Sequence, residues 1–514
     1  MHDEPAPPPS FATRAWNLLR QAGTLFRRRL VVIVVVVAVL ISTGVLVSYA
    51  QGWWPWGRCE TSSSDVVSVD GECVGLMDPA DGTMVLGPQY RQILEVIASE
   101  NRTVTEKDDY STIALLAPMG AGPRGLVGER ALHQLEGAFI AQYRANHSET
   151  FPKIRLLLAN TGHDGSKWNT TVQAVRRNAA TGATAGPGQI VAVTGMGPSQ
   201  QESIDAARAL AKDPGIPMVA DFITAAGFNT TGEIDDAGPI PGLTRTAVST
   251  SAQLAAIAEE FKKKKVEGSA ALMWADVTPQ GTKDLYARSL KDAFLDPKLG
   301  LKPYVDKSGL SFPFDPRGGP SLLRTISDTI CGTKIDMIFY AGRQAFMPAF
   351  LKLLRSRPCR STPITVVTGD DAQDQNPDDP SLHDPEAPIK VMFVPLADPA
   401  RLDNEDNPHR QLYREFRDEF VTAHHGVSFP ATHLGTGLAI LAYDAVTAAA
   451  TAVQKAAIGV DPSQLSLPSA VAVRGQLYLF TGTNVIRGAS GAFTLDSRTG
   501  ERVNVTTPTP VTIP

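Results

Sequence analysis

The sequence predicts an α/β protein built on doubly wound parallel sheet and held outside a membrane by one N-terminal transmembrane helix. Three observations carry this. Strand-like and helix-like stretches alternate from Ile113 onward, the pattern of a parallel sheet with crossover helices. The stretch from Ile190 to Ala225 reads as strand, loop, helix, loop, strand. Leu30–Ala50 is a run of 21 residues without a charge.

That run comes first in the chain. At 1.5 Å per residue it spans about 30 Å, the thickness of a bilayer core. Residues 1–29 hold five arginines against Asp3 and Glu4, and Pro5–Pro9 reads as a disordered tail. Arg27–Arg29 stop the apolar run on one side; Trp53, Trp54 and Trp56 follow on the other. The positive-inside rule places residues 1–29 in the cytoplasm and residues 51–514 outside. A cleaved signal peptide is the alternative, since Ser48-Tyr49-Ala50 is a passable cleavage site. The apolar run is longer than a usual signal core, so an anchor at 30–50 is the expectation. Cys59 follows Trp-Gly-Arg rather than small residues, which argues against a lipoprotein signal.

Residues 51–110 read as an extracellular stalk or extension. Cys59 and Cys73 are expected to staple its base, and Tyr90–Ser99 to form a helix. An even count of four cysteines outside the membrane favours two disulfides. The second would join Cys331 and Cys359, each at the end of a predicted helix; two buried free thiols are the alternative. No C-x-x-C is present, so no zinc or redox motif is suggested.

The main domain is expected from Ser111. Strand Ile113–Ala117 leads through a loop, 118–128, to a helix from Glu129 with Leu132, Leu135, Ala138, Phe139 and Tyr143 on a helical period. Strand Ile154–Ala159 and helix Lys167–Ala180 follow. Ile190–Thr194 is apolar and β-branched, as a doubly covered strand should be. Gly195 and Gly197 break it. Ser199 stands three residues before Glu202, a capping box for the next helix. That helix stops at Pro214–Gly215, and Ile216–Ala220 is the next strand. Strands joined by helices in this way are parallel and right-handed, so the loops after them open at one sheet edge, where such sheets bind ligands.

Composition and motifs exclude several functions. Hydrophobic residues make up 43% and charged residues 20% of 514, with a net charge of −5, which gives no reason to expect nucleic acid. Gly120–Gly125 spells G-x-G-x-x-G after a strand, but the next strand ends at Asn160–Thr161 without the ribose-binding acid, so no dinucleotide is expected. There is no G-K-[ST], H-E-x-x-H or G-x-S-x-G, and no catalytic set, metal site or cofactor is predicted. His424–His425 reads as a solvated helix end. Lys262–Lys265 reads as favourable charge at a helix C-terminus. Asp370–Asp371 and the acids of Asp374–Asp384 lack the spacing of a calcium loop.

A family resemblance runs through about 111–505. Gly195/Gly197–Ser199, Pro214–Gly215–Ile216–Pro217 and Ala220–Thr224 resemble the second βαβ unit of the type 1 periplasmic binding proteins, the leucine/isoleucine/valine-binding family of ABC importers. IALLAPMGAGPRGLVGERALHQLEGAFIA is similar to that family's first strand, loop and Gly-Ala helix. Ala442–Tyr443–Asp444–Ala445 is similar to its a-Y-D-A helix, and GASGAFTLDSRTGER to its terminal segment. The order and spacing of these loose motifs carry the likeness.

The resemblance implies two doubly wound parallel-sheet lobes joined by a hinge and closing on a solute. Lobe 1 would comprise 111–246 and 396–460, and lobe 2 247–395 and 461–514. Donors for a ligand carboxylate are expected from Ser199, at a helix N-terminus, and from Thr224, in loops that also carry Gly197, Asp221 and Phe222. Asp371, or Asp370, falls where the family carries an acid near the ligand's amino group. Thr278 stands where the family has a tyrosine, and Leu126 or Val127 where it has an aromatic in loop 1. Trp274 and Tyr340 are expected either as aromatic walls or as core. The implied function is capture of a small polar solute, an amino acid or short amide, for an ABC permease. The alternative is a sensing or structural ectodomain working with a partner membrane protein.

Overall fold

The structure, a computed structural model, describes residues 59, 65–81, 86–106, 109–120, 126–179, 186–213, 215–228, 238–275, 277–278, 281–315, 318, 320–457, 466–504 and 508–514. The expected membrane helix at 30–50 lies outside these. Among the described residues no helix is long and apolar enough to cross a membrane.

Two mainly parallel sheets form the frame, the first with two antiparallel strands at one edge. The first contains β1 (Val66–Val69), β2 (Glu72–Met77), β3 (Tyr110–Ala117), β4 (Lys153–Asn160), β5 (Ile190–Gly195), β6 (Met218–Ala220) and β7 (Leu243–Arg245), in the order β1-β2-β4-β3-β5-β6-β7. The second contains β8 (Ala270–Trp274), β9 (Ser311–Pro313), β10 (Met337–Ala341), β11 (Ile364–Val367) and β12 (Ile389–Phe393). An antiparallel trio follows, β13 (Ile486–Gly488), β14 (Gly491–Leu495) and β15 (Arg502–Asn504). Finally β16 (Val511–Ile513) pairs antiparallel with β12. Counted from its own first parallel strand, each sheet runs 2-1-3-4-5. The switch points are β3/β5 in lobe 1 and β8/β10 in lobe 2, and loops beyond a switch point form the binding crevice of such sheets.

The central strands β3, β5 and β10 are buried throughout because helices cover both faces. All eight residues of β3 are buried. Its period of two sorts them: Ile113, Leu115 and Ala117 join the core beneath helices Arg91–Thr105, Leu126–Asn146 and Leu438–Ala456. Ala114 and Leu116 join the core beneath Trp168–Arg177 and Gln201–Ala211. Lobe 2 repeats the plan, with helices Pro320–Thr333 and Met347–Arg355 on one face and Thr250–Lys264 and Leu285–Leu295 on the other. Gly137, the glycine of the Gly-Ala pair, sits where helix Leu126–Asn146 meets the backbone of Ala439. A Cβ there would collide with the Ala439 carbonyl, so only glycine allows this approach.

Two expected boundaries are corrected. Residues 66–81 and 86–105 are not a stalk: β2 pairs with β4 and helix Arg91–Thr105 packs into the lobe 1 core. Asp78 locks this in, accepting from Asn101 Nδ2 at 2.8 Å and Arg155 Nε at 2.8 Å. Residues 470–504 belong to lobe 1, not lobe 2; Val473, Leu477, Ile486, Phe493 and Leu495 lie in its core. The cause is Asp444 of the Y-D-A motif, fully buried, which accepts from Ala489 N at 2.6 Å and lies 3.5 Å from Arg502. Among the described residues after 466, β16 returns to lobe 2. Disulfides join Cys59 to Cys73 and Cys331 to Cys359. His424 is also corrected: it is buried, not solvated, with its ring 4.0 Å from that of Tyr143.

Candidate functional site

The two switch points face each other, and the loops beyond them meet. Lobe 1 brings Arg130 on the helix after β3, Ser199 after β5, and Phe222 and Thr224 after β6. Lobe 2 brings Asp284 after β8, Arg343 and Gln344 after β10, and Asp370, Asp371 and Asp374 after β11.

Ser199 holds two loops and two lobes together. Its Oγ accepts from Thr224 N at 3.0 Å and Ala225 N at 3.1 Å. Its carbonyl accepts from Tyr286 N at 3.1 Å and Arg343 Nη2 at 2.9 Å, both from lobe 2. The expected capping box is therefore corrected: helix Gln201–Ala211 starts one residue later, with Gln200 rather than Ser199 at its cap and no side-chain cap bond. The Ser199 hydroxyl oxygen accepts from the neighbouring loop instead, whose N–H groups are buried.

Arg343 is clamped by Asp284, with Nε and Nη2 each 2.8 Å from a carboxylate oxygen, and its guanidinium lies 4.6 Å from the centre of the Tyr286 ring. Asp284 also caps helix Leu285–Leu295 through Tyr286 N and Ala287 N. Arg130 crosses from lobe 1 to two acids of lobe 2: Nη2 is 2.5 Å from Asp371 Oδ1, and Nε 2.6 Å from Asp374 Oδ2. Asp371 Oδ2 accepts from Gln344 N at 2.8 Å.

Burial pushes the Asp371 carboxyl up, but Arg130 and Arg343 outweigh burial and hold it below the usual carboxylate range. Its neighbour Asp370 goes the other way, lifted to about 7 by burial and by the charge of Asp371, against hydrogen bonds from Gln253 and Thr224. Adjacent acids thus divide into one that is ionised and one poised near neutrality.

Two voids flank this cluster. A small one of about 20 Å³ lies among Arg130, Ser199, Thr224, Arg343 and Asp371. A chamber of about 250 Å³ shares Arg130, Arg343 and Asp371 as one wall and is otherwise lined by Pro118, Ala131, Phe222, Thr278, Ala345 and Phe346, among others.

Of the residues expected from sequence, Ser199, Phe222, Thr224, Thr278 and Asp371 line these voids. The other four do not. Gly197 has φ +72° and backs onto Pro118, 3.6 Å from where a Cβ would stand. Asp221 is buried behind the loop, accepting from Gln134 Nε2 and Phe222 N. Trp274 is half-buried against the helix layer of lobe 2: Nε1 donates to Ser311 Oγ at 3.1 Å and Lys291 covers the ring. Tyr340 is core, stacked on Phe350, with its hydroxyl donating to Arg343 O at 2.9 Å. Leu126 and Val127 are placed only as the first residues of their helix. Sequence reading missed Arg130, Arg343 and Asp284. The available signal was that each follows the C-terminal end of a strand at a switch point.

No family model matches the chain, and no curated protein does. Solved structures share its fold. An ABC transporter substrate-binding protein from Desulfitobacterium hafniense, complexed with Leu, is 18% identical with a TM-score of 0.51, covering 79% of this chain and 97% of that one. The branched-chain amino acid transporter substrate-binding protein LivJ from Streptococcus pneumoniae, complexed with isoleucine, is 14% identical with a TM-score of 0.51, covering 78% and 99%. A solute-binding protein of an ABC transporter from Rhodopseudomonas palustris, complexed with 3,4-dihydroxybenzoic acid, is 13% identical with a TM-score of 0.50, covering 78% and 95%. The chain has the two-lobed α/β fold of the type 1 periplasmic binding proteins.

Proposed function

We propose that the chain is a non-enzymatic, membrane-anchored extracellular solute-binding protein whose cleft takes an α-amino acid with an apolar side chain. The observation that carries this is the Arg130–Asp371 pair, closed across the lobes on one wall of an apolar chamber. An amino acid can enter this pair head to tail, its carboxylate on Arg130 and its ammonium on Asp371. One ion pair is then replaced by two, with no buried charge left alone. A carboxylate lacking the ammonium would take Arg130 from Asp371 and leave it only Arg343 nearby and the Gln344 N–H. The chamber suits the side chain: a cavity of about 150 Å³ holds benzene, and this one is about 250 Å³. Ser199 accepts two N–H groups and still carries a hydroxyl proton for a ligand oxygen.

Binding would stabilise the closed form, which an ABC permease could then read. A second reading, a sensing or structural ectodomain without transport, is favoured by one feature: the lobes already close on each other's charged side chains. Native mass spectrometry of the purified chain tests the solute reading. A co-purifying amino acid supports it, and a chain that carries and takes up none opposes it. Residues 30–50 are proposed to stay in the mature protein with 51–514 outside; N-terminal sequencing that starts at Gln51 would refute the anchor.

A further inference from the structure

Lobe 1 holds three metal-ligating side chains that the solute reading does not use. His133 and Glu136 stand three residues apart on helix Leu126–Asn146, a spacing that puts both on one face. His433 approaches from the short turn Ala431–Thr436. Its Nδ1 is 2.9 Å from Glu136 Oε2, and its ring centre is 4.3 Å from that of His133. One ligand atom from each residue lies within 4.8 Å of the other two.

We propose that His133, Glu136 and His433 form a binding site for a single borderline divalent transition cation of the Zn²⁺ class. Two imidazoles and one carboxylate are a donor set for zinc and its neighbours, whereas calcium and magnesium take oxygen ligands. The surroundings fit such a site. Thr436 Oγ1 is 3.1 Å from His133 Nδ1 and orients that ring, as an outer partner of a metal ligand does. His133 and Glu136 are buried while the His433 side chain is 26% exposed, so an ion has a route in from solvent.

Ligand distances of about 2.0–2.2 Å require the three donors to draw together by roughly 1 Å at their widest. His433, on a short turn, is the one able to move. Its turn also carries Gly435, whose carbonyl accepts from Gln373 Nε2 of lobe 2 at 2.7 Å, and Thr436, which lines the cleft. An ion here would fix the turn on which lobe 2 docks.

The test is calorimetric titration of the metal-stripped full-length chain with Zn²⁺, repeated with Co²⁺ while its visible absorption is recorded. The expected result is one ion per chain and a Co²⁺ spectrum of low coordination number. His433→Ala should weaken the affinity at least about 10-fold, and excess Ca²⁺ should not compete. If His433→Ala does not fold by circular dichroism, Glu136→Gln, which keeps the shape of the side chain, is read in its place. Equal Zn²⁺ binding by wild type and the folded variant overturns the proposal, as does competition by Ca²⁺ or no binding at all.

Discussion

Arg130 of lobe 1 and Asp371 of lobe 2 stand 2.5 Å apart, nitrogen to oxygen, across the cleft. Arg130 contributes most to holding the Asp371 carboxyl down against its burial. A carboxylate depressed in the folded state stabilises the fold above its unfolded pKa of about 4, and that contribution is lost as pH falls through the lower folded value. Arg130→Ala should therefore lower stability at pH 7 by roughly 1–3 kcal/mol, less than a fully buried pair because Arg130 is partly exposed. It should also move acid unfolding to higher pH. Urea unfolding at stepped pH checks both.

Ser199→Ala removes the acceptor for two buried N–H groups, those of Thr224 and Ala225. An orphaned buried donor costs about 1–3 kcal/mol, so the loss should exceed that of a missing helix cap, typically ~1 kcal/mol. Equilibrium unfolding is the measurement. A loss well below 1 kcal/mol would mean that the loops relax onto other acceptors.

Asp221 bears on pH in the opposite sense. Burial lifts its carboxyl to about 7, against hydrogen bonds from Gln134 and from the Phe222 N–H. The unfolded carboxyl titrates near about 4. Between the two values the folded chain keeps a proton that the unfolded chain has lost, so this residue makes stability fall as pH rises through that window. Asp221→Asn should flatten the stability profile between pH ~4 and ~7 and be more stable relative to wild type above it. Parallel profiles for the two proteins would contradict this.

The frame of the molecule was legible because periodicity reports burial directly. The alternation of β3 sorts its residues into two cores, and Gly137 marks the crossing of two helices. The site was less legible. Trp274 and Tyr340 end strands, and strand side chains point into the helix layers rather than beyond the sheet edge. Arg130 and Arg343 resemble ordinary surface cations until folding sets them against acids more than 50 residues away in sequence. Ser199 has the spacing of a cap, but its partner comes from the next loop. The place of β13–β15 was misjudged because one buried acid, Asp444, decides it.

The central event is the entry of a zwitterion between Arg130 and Asp371. The direct measurement is calorimetric titration of the purified chain with leucine and with 4-methylpentanoate, the same molecule without its amino group. Leucine should bind, and the desamino acid should bind at least about 10-fold more weakly, because each 1.4 kcal/mol is tenfold and buried Asp371 would lose the Arg130 pair with no ammonium to replace it. Equal affinity for the two, or binding of 4-methylpentanoate alone, would contradict it.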